Sequence, residues 1–394
     1  MLTTVSVPAF ELNSSFYTTA FGSSSTLEGF SVSVIEPDNS TAASTPYMLP
    51  EYIRATSMVV CITVMVLGII GNLMVPLVVF RGKDMRNSTN IFLVNLSAAD
   101  LCVLLICAPT VLVEVNSGPQ VWPLGEHMCK AVPFVELTVA HASVLTILAI
   151  SFERYYAICE PLRAGYICTK ARATFLCFLA WVFAAVCTSP MIWVSQYHEM
   201  RMNTTVNSEE EMSEAVITVC LMQADSLLTM IFFLLLIFIF FVIPLFILLL
   251  LYLIIIRQLI NDRSASTAEN YHARARKQVV FMLLTVVFSF FICLAPFKIL
   301  TFYIVLAPNE SVEAIDHDTF YNILYFSRIM FYLNSAVNPI LYNLMSSRFR
   351  LGFRKIFRVI KRTRTDRSTV RSSTTGTRLS RRTITSSDQQ EIFL

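Results

Sequence analysis

Five ionisable side chains, Asp100, Glu136, His141, Lys298 and Arg328, interrupt long apolar runs, where an unpaired charge is costly in hydrocarbon. Residues kept at such a cost recognise charge: they grip a ligand, an ion or one another. No metal-ligand spacing and no nucleophile-base pair stands out, so the pattern points to binding and not to an enzyme. Asp100 lies about midway along its run, and Ser143, Asn334, Ser335 and Asn338 on two other runs are placed to add oxygens around it. One carboxylate among neutral oxygens would hold a sodium ion or a water network, or would only glue helices together. Glu136 precedes Arg154 by about five helical turns, so the two sit in opposite halves of one run. There Glu136 would meet a ligand cation or pair internally with Arg328. Glu114, near the end of its run, reads either as a solvated rim charge or as part of an acidic subsite for a basic ligand. His141, alone, reads as a packing residue.

The elements that must position these groups are apolar stretches near 57–80, 90–113, 128–152, 173–195, 226–256, 278–306 and 320–345. They are continuous and rich in Leu, Ile and Phe, whereas barrel strands alternate over about ten residues. The fold class is therefore an all-α membrane protein, a seven-transmembrane helix bundle. Of 394 residues, 55% are hydrophobic and 14% charged, and the mean hydropathy is +0.62. A soluble surface needs about 25% charge, so soluble, disordered and collagen-like classes are excluded. The 30 basic and 27 acidic residues nearly balance but are segregated. Arg81, Lys83 and Arg86, then Arg163, Lys170 and Arg172, then Arg257, Arg263, Arg274, Arg276 and Lys277 fall in loops of one side, predicted cytoplasmic together with the C-terminus. The other side holds the acidic residues Glu199, Glu209, Glu210, Glu211 and Glu214 and glycosylation sequons at Asn13, Asn39, Asn203 and Asn309. A further match at Asn87 falls on the basic side and is set aside. Most of the ten cysteines lie within apolar runs, but Cys129 and Cys220 sit at run edges on the predicted outer, oxidising side. A bridge there is physically reasonable, although two cysteines do not prove a pair.

Residues 1–55 predict a disordered, glycosylated extracellular N-terminus with no cleavable signal, leaving the first run as an uncleaved anchor. Residues 56–345 form the bundle. Over 346–362, Phe349, Phe353, Ile356, Phe357 and Ile360 alternate with basic residues, which predicts a C-terminal amphipathic helix on an anionic leaflet. Residues 363–394 are dominated by Ser, Thr and Arg and predict a disordered cytoplasmic tail suited to kinases. No inverted repeat of the transporter kind is visible.

Motifs recur through every run: Gly71-Asn72, Leu96 to Asp100, Glu153-Arg154-Tyr155, Trp181, Pro244 with Tyr252, Pro296, and Asn338-Pro339-Ile340-Leu341-Tyr342. Together, over roughly 55–360, they resemble a rhodopsin-like G-protein-coupled receptor. That resemblance implies a Cys129–Cys220 disulfide and a sodium pocket of Asp100, Ser143, Asn334, Ser335 and Asn338, with no other cofactor. It implies an activation and coupling set of Glu153, Arg154, Tyr155, Tyr252, Phe290, Pro296, Pro339 and Tyr342, with Pro161 and Leu162 as the docking point of a heterotrimeric G-protein. It further implies a multi-pass plasma-membrane location, receptor kinases and arrestin acting on the tail, contact with membrane lipids, and no nucleic-acid partner. Two departures stand out. Leu294 replaces the usual sixth-helix tryptophan, leaving Phe290, Val144 and Pro244 as the packing switch, and Arg276 stands where an acid often locks the third helix's arginine.

The stretch Asp84 to Leu93 and the run Cys129 to Pro161 are similar to peptide-hormone receptors of the thyrotropin-releasing-hormone, ghrelin and neuromedin kind, and Pro133 to Ser143 looks like arthropod ecdysis-triggering hormone receptors. Ligands of the latter end in Pro-Arg-x-amide. The resemblance therefore implies an amidated neuropeptide hormone whose arginine meets Glu114 and Glu136, with Arg328 on a carbonyl or the amidated terminus and Lys298 completing the ligand-binding set. Signalling would run through a Gq-type G-protein with calcium release. One alternative is another peptide of the thyrotropin-releasing-hormone or neuromedin type. From a different class, a membrane transporter or channel would also carry intramembrane charges. A retinal protein would need a lysine where Tyr332 stands.

Overall fold

The computed structural model describes residues 48–82, 85, 87–118, 121–205, 212–222, 224, 226–261, 267–308, 311–312, 314–347, 349–356 and 358. The sequons Asn13, Asn39 and Asn309 and the tail 363–394 lie outside the described residues. Among these, six helices are long and apolar enough to cross a membrane: Glu51–Arg81, Ser88–Ser117, Gly125–Cys159, Lys170–Val194, Leu227–Asn261 and Lys277–Leu306. A seventh helix, His317–Met345, is long enough but more polar. Its polarity has a direction. Arg328, Tyr332, Ser335, Asn338 and Tyr342 recur every three or four residues and are all buried, so they form one stripe facing the bundle. The seven helices are called spans one to seven below.

Several spans start where a short polar side chain satisfies the first free amides. Asn87 accepts from the Asn90 amide at 2.9 Å, Thr169 from Arg172 at 3.4 Å and Asp316 from Thr319 at 3.2 Å. Ser226 and Thr229 cap span five reciprocally. The cap also gives the Asn87 side chain a structural use.

Two spans contain a π-helical turn that the periodicity did not signal, Val103–Cys107 in span two and Phe238–Val242 in span five. Each precedes a proline, Pro109 or Pro244. A proline ring clashes with the carbonyl four residues back and offers no N–H, and a widened turn accommodates both defects.

Spans one and seven approach closely because Gly71 has no side chain: a Cβ there would lie 2.8 Å from Pro339 Cβ. After span seven, helical residues 349–356 lie back on the bundle with Phe349, Phe353 and Ile356 buried, and the Phe349 ring sits 5.8 Å from that of Tyr342. Gly352 allows this, since a Cβ there would collide with the Val78 side chain.

The acidic loop between spans four and five is a β-hairpin, β1 (Ser195–Thr205) and β2 (Met212–Met222), antiparallel from Ser195 opposite Met222 to Thr205 opposite Met212. Asn203 lies on β1 opposite Glu214. Cys220 on β2 forms a disulfide with Cys129 at the start of span three. Trp122 extends the hairpin edge: its amide donates to the Thr218 carbonyl at 2.7 Å, and the Thr218 hydroxyl donates back to the Trp122 carbonyl at 2.7 Å. This hairpin end is opposite the basic end that carries Arg81, Arg163 and Arg257.

Candidate functional site: a charged cluster, a polar core and an arginine latch

Toward the hairpin end, Glu136 of span three is 2% exposed, and its Oε2 has no hydrogen-bond partner among the described residues. Tyr332, Arg328 and Glu114 stand beside it. The sequence left open an internal Glu136–Arg328 pair, and the structure pairs Arg328 differently. Its guanidinium grips Glu114 with both terminal nitrogens, Nη1 on Oε2 and Nη2 on Oε1 at 3.4 Å. Glu114 is therefore neither a rim charge nor a free acidic subsite, because a buried guanidinium requires a carboxylate and Glu114 supplies it across from span two. The two carboxylates and one guanidinium sum to −1 when all are ionised, and Glu136 carries the excess. A buried carboxylate without an ionic partner is met either by a proton or by a cation.

Lys298 of span six is 6% exposed and has no ion-pair or hydrogen-bond partner among the described residues. It lines a small void of about 20 Å³ with Thr301, Phe233 and Phe297. His141 is a packing residue as read from its isolation: it stacks on Phe240 with ring centroids 3.9 Å apart and shares a 3.0 Å hydrogen bond with Thr188.

At mid-bundle, the Asn338 amide donates to Asp100 at 3.1 Å, and Ser335 is a second hydrogen-bonding neighbour of that carboxylate. Asn72 donates to the carbonyls of Ser335 at 2.8 Å and Gly68 at 3.0 Å, so spans one, two and seven meet here. Ser143 and Asn334 are also buried, and neither hydrogen-bonds Asp100 among the described residues. Asn334 Oδ1 is a buried oxygen without a partner among the described residues. A carboxylate with amide and hydroxyl oxygens is the donor set that a hard cation such as sodium requires, so these residues fit that ion. Spacing did not single out Asn95, which donates to Thr146 at 2.9 Å and accepts from the Trp181 indole at 3.0 Å, joining spans two, three and four. Its amide inside an apolar run was the available signal.

At the basic end, the Ser88 and Thr89 hydroxyls both donate to Glu153, the second at 3.2 Å, and Arg154 donates to Thr89 Oγ1. Arg154 also lies 3.6 Å from Glu153. The sequence noted that a sixth-helix acid is missing; the arginine is instead held by span two. Ser88 and Thr89 were missed because hydroxyls at a helix start read as caps. The Ser151 hydroxyl donates to Tyr252 at 3.4 Å, whereas the Tyr342 hydroxyl is buried without a partner among the described residues. Tyr155 packs edge-on against Tyr156 at 5.5 Å. Phe290 is buried against Phe291, centroids 5.6 Å apart, and Leu294, Val144 and Pro244 are buried as well. Pro296 and Pro339 lie inside spans six and seven. Gln278 of span six donates to the Met345 carbonyl at the end of span seven, 2.7 Å away. Pro161 opens a short helix, Pro161–Ile167, on which Leu162 is 93% exposed.

The family described as 7 transmembrane receptor (rhodopsin family) matches residues 71–342. The human (Homo sapiens) growth hormone secretagogue receptor type 1 is 34% identical over 318 residues, covering 79% of this chain and 82% of the relative. The thyrotropin-releasing hormone receptor of Gallus gallus is 30% identical over 332 residues, covering 78% and 80% of the two chains. The QRFP-like peptide receptor of Branchiostoma floridae is 28% identical over 317 residues, covering 77% and 78% of the two chains.

Proposed function

The chain belongs to the rhodopsin family of seven-transmembrane receptors, and from that premise we propose that it is a receptor for an amidated neuropeptide of the ecdysis-triggering-hormone type, ending in Pro-Arg-x-amide. Family membership makes it a multi-pass plasma-membrane protein whose partners are an external ligand and a G-protein, and sets aside the enzyme, transporter and channel readings. The relatives that are receptors of a hormone or a peptide by name support a peptide ligand. The observation that carries the reading is Glu136, the carboxylate left over once Glu114 takes Arg328.

In this reading the hairpin end faces outward and the basic end inward, as the basic loops require. The peptide's arginine enters from the hairpin end and pairs with Glu136. Arg328, already held by Glu114, offers its remaining Nε to a carbonyl or the terminal amide, and Lys298 offers a second donor to a peptide carbonyl. Asp100, Ser335 and Asn338, with Ser143 and Asn334, would hold a sodium ion that neutralises the buried carboxylate. Agonist binding favours an outward movement of span six about Pro296, which opens the Gln278–Met345 contact and releases Arg154 from Thr89. Leu162 and Pro161 then meet a Gq-type protein, and receptor kinases and arrestin act on the tail.

The test is intracellular calcium in cells expressing the chain, challenged with amidated peptides ending in Pro-Arg-x-amide and with the matched free acids. The amidated peptides are expected to act at nanomolar concentration. Glu136→Gln should weaken them at least about thirtyfold, the equivalent of roughly 2 kcal/mol for a buried charge partner. Potency within about threefold of wild type, at equal surface expression, would remove Glu136 from the ligand site.

A further inference from the structure

A groove far from the charged cluster opens on the side of the bundle. It has a volume of about 610 Å³ and runs between spans three and four toward the basic end, with Ser88 and Phe92 of span two at its side. Its floor is made of Ala149, Ala173 and Ala180, whose short side chains leave the space open. Its rim is Phe152, Leu176, Leu179 and Phe183, all between 41% and 47% exposed, which on a membrane-spanning helix means facing lipid. Along span four the groove extends from Thr169 to Phe183, roughly 21 Å at about 1.5 Å per residue. That is the reach of a long acyl chain and more than a compact ligand needs.

Polarity is confined to one mouth. Glu153 is there, but Ser88 and Thr89 already donate to its carboxylate. Arg172 is there too, exposed and without an ion pair or side-chain hydrogen bond among the described residues. A guanidinium at the membrane interface, next to an apolar slot of acyl length, matches a phosphate with a hydrocarbon chain attached. We propose that this groove binds one acyl chain of an anionic phospholipid from the leaflet at the basic end, with the lipid phosphate on Arg172. A chain attached covalently to Cys168 at the same mouth is disfavoured. The Cys168 thiol points at the Glu153 carbonyl 3.8 Å away, and burial together with the Glu153 charge pushes the thiol up, leaving little thiolate to accept an acyl group.

The full chain in phosphatidylcholine nanodiscs would be given a minority of phosphatidylglycerol carrying a photoreactive acyl chain, and the crosslinked peptides mapped by mass spectrometry. Crosslinks are expected within 173–183 of span four and near Phe152, about tenfold above those from phosphatidylcholine bearing the same chain, the size of one charge-assisted contact. Arg172→Gln, an exposed substitution, should erase that headgroup preference, and Ala180→Phe should remove the crosslinks by filling the floor. Equal labelling by both headgroups, labelling unchanged in Arg172→Gln, or displacement by a sterol and not by phosphatidylglycerol would overturn the assignment. So would an acyl mass on Cys168 released by hydroxylamine.

Discussion

Replacing Glu114 by Gln strands Arg328 as a buried cation. Its side chain is 2% exposed and that of Glu114 7%, so water cannot screen the loss, and the nearest remaining acid, Glu136, makes no hydrogen bond to it. Removing one partner of such a pair costs about 3–5 kcal/mol, whereas replacing both by apolar residues of similar size is close to neutral. For a bundle of this size roughly 2 °C accompanies each kcal/mol, so Glu114→Gln should lower the unfolding temperature by about 6–10 °C. The double variant Glu114→Leu with Arg328→Met should recover most of that. The assay is thermal unfolding of the detergent-solubilised chain at one fixed heating rate, read by a thiol-reactive dye that reports exposure of the buried Cys61, Cys107, Cys177 and Cys293. If Glu114→Gln melts within about 2 °C of wild type, or if the double variant is no better than the single one, Arg328 is not held by Glu114 in the way argued, and it returns to the set of free ligand contacts.

Thr89→Ala removes the acceptor that holds Arg154 and should raise agonist-free nucleotide exchange on the G-protein several-fold, measured with a radiolabelled GTP analogue; unchanged exchange would show that Thr89 does not restrain the arginine. Gly71→Leu forces spans one and seven apart at Pro339, and overpacking of this kind should cost about 1–3 kcal/mol, seen as lower surface expression and a lower melting temperature. Cys129→Ser opens a link across 91 residues and should destabilise the hairpin end by about 2–5 kcal/mol, read by the same melt and by proteolysis within the hairpin. The Cys168 thiol is pushed above the ordinary thiol range, and its reactive form is the thiolate. Iodoacetamide should therefore label it slowly at pH 7.4, and the labelling should rise with pH only beyond the range in which an exposed thiol responds.

Long apolar runs and basic loops were legible because each follows from a local rule: hydrocarbon length and charge at a membrane face. The disulfide was legible only through the resemblance, since spacing alone leaves any two cysteines unpaired. The partner of Arg328 was not legible. Glu114 and Glu136 lie on different spans at nearly the same depth, and which of them meets the guanidinium depends on how spans two and seven are rotated about their axes. The π turn at Val103–Cys107 lies just before Glu114, and an extra residue in one turn rotates everything beyond it by about 100°. The hairpin was hidden for another reason: its pairing is set by the disulfide and by Trp122 as much as by its own alternation.

Span seven then explains how a charge at the hairpin end can be felt at the basic end. Arg328, Tyr332, Ser335, Asn338 and Tyr342 share one buried face, and they meet in turn the charged cluster, the Asp100 core and the ring of Phe349. Along that stripe several atoms have no hydrogen-bond partner among the described residues: Arg328 Nε and the Tyr342 hydroxyl, with Asn334 Oδ1 alongside. A buried polar atom without a partner costs about 1–3 kcal/mol, so a second packing that satisfies some of them is close in energy to the first. On the proposed reading, a cation on Glu136 would change which packing is lower, and Pro296 and Pro339 inside spans six and seven would give the slack to reach it. Filling the stripe with apolar residues would stabilise one packing and remove that response, which is why a stability gain in Tyr342→Phe should come with weaker agonist-driven exchange.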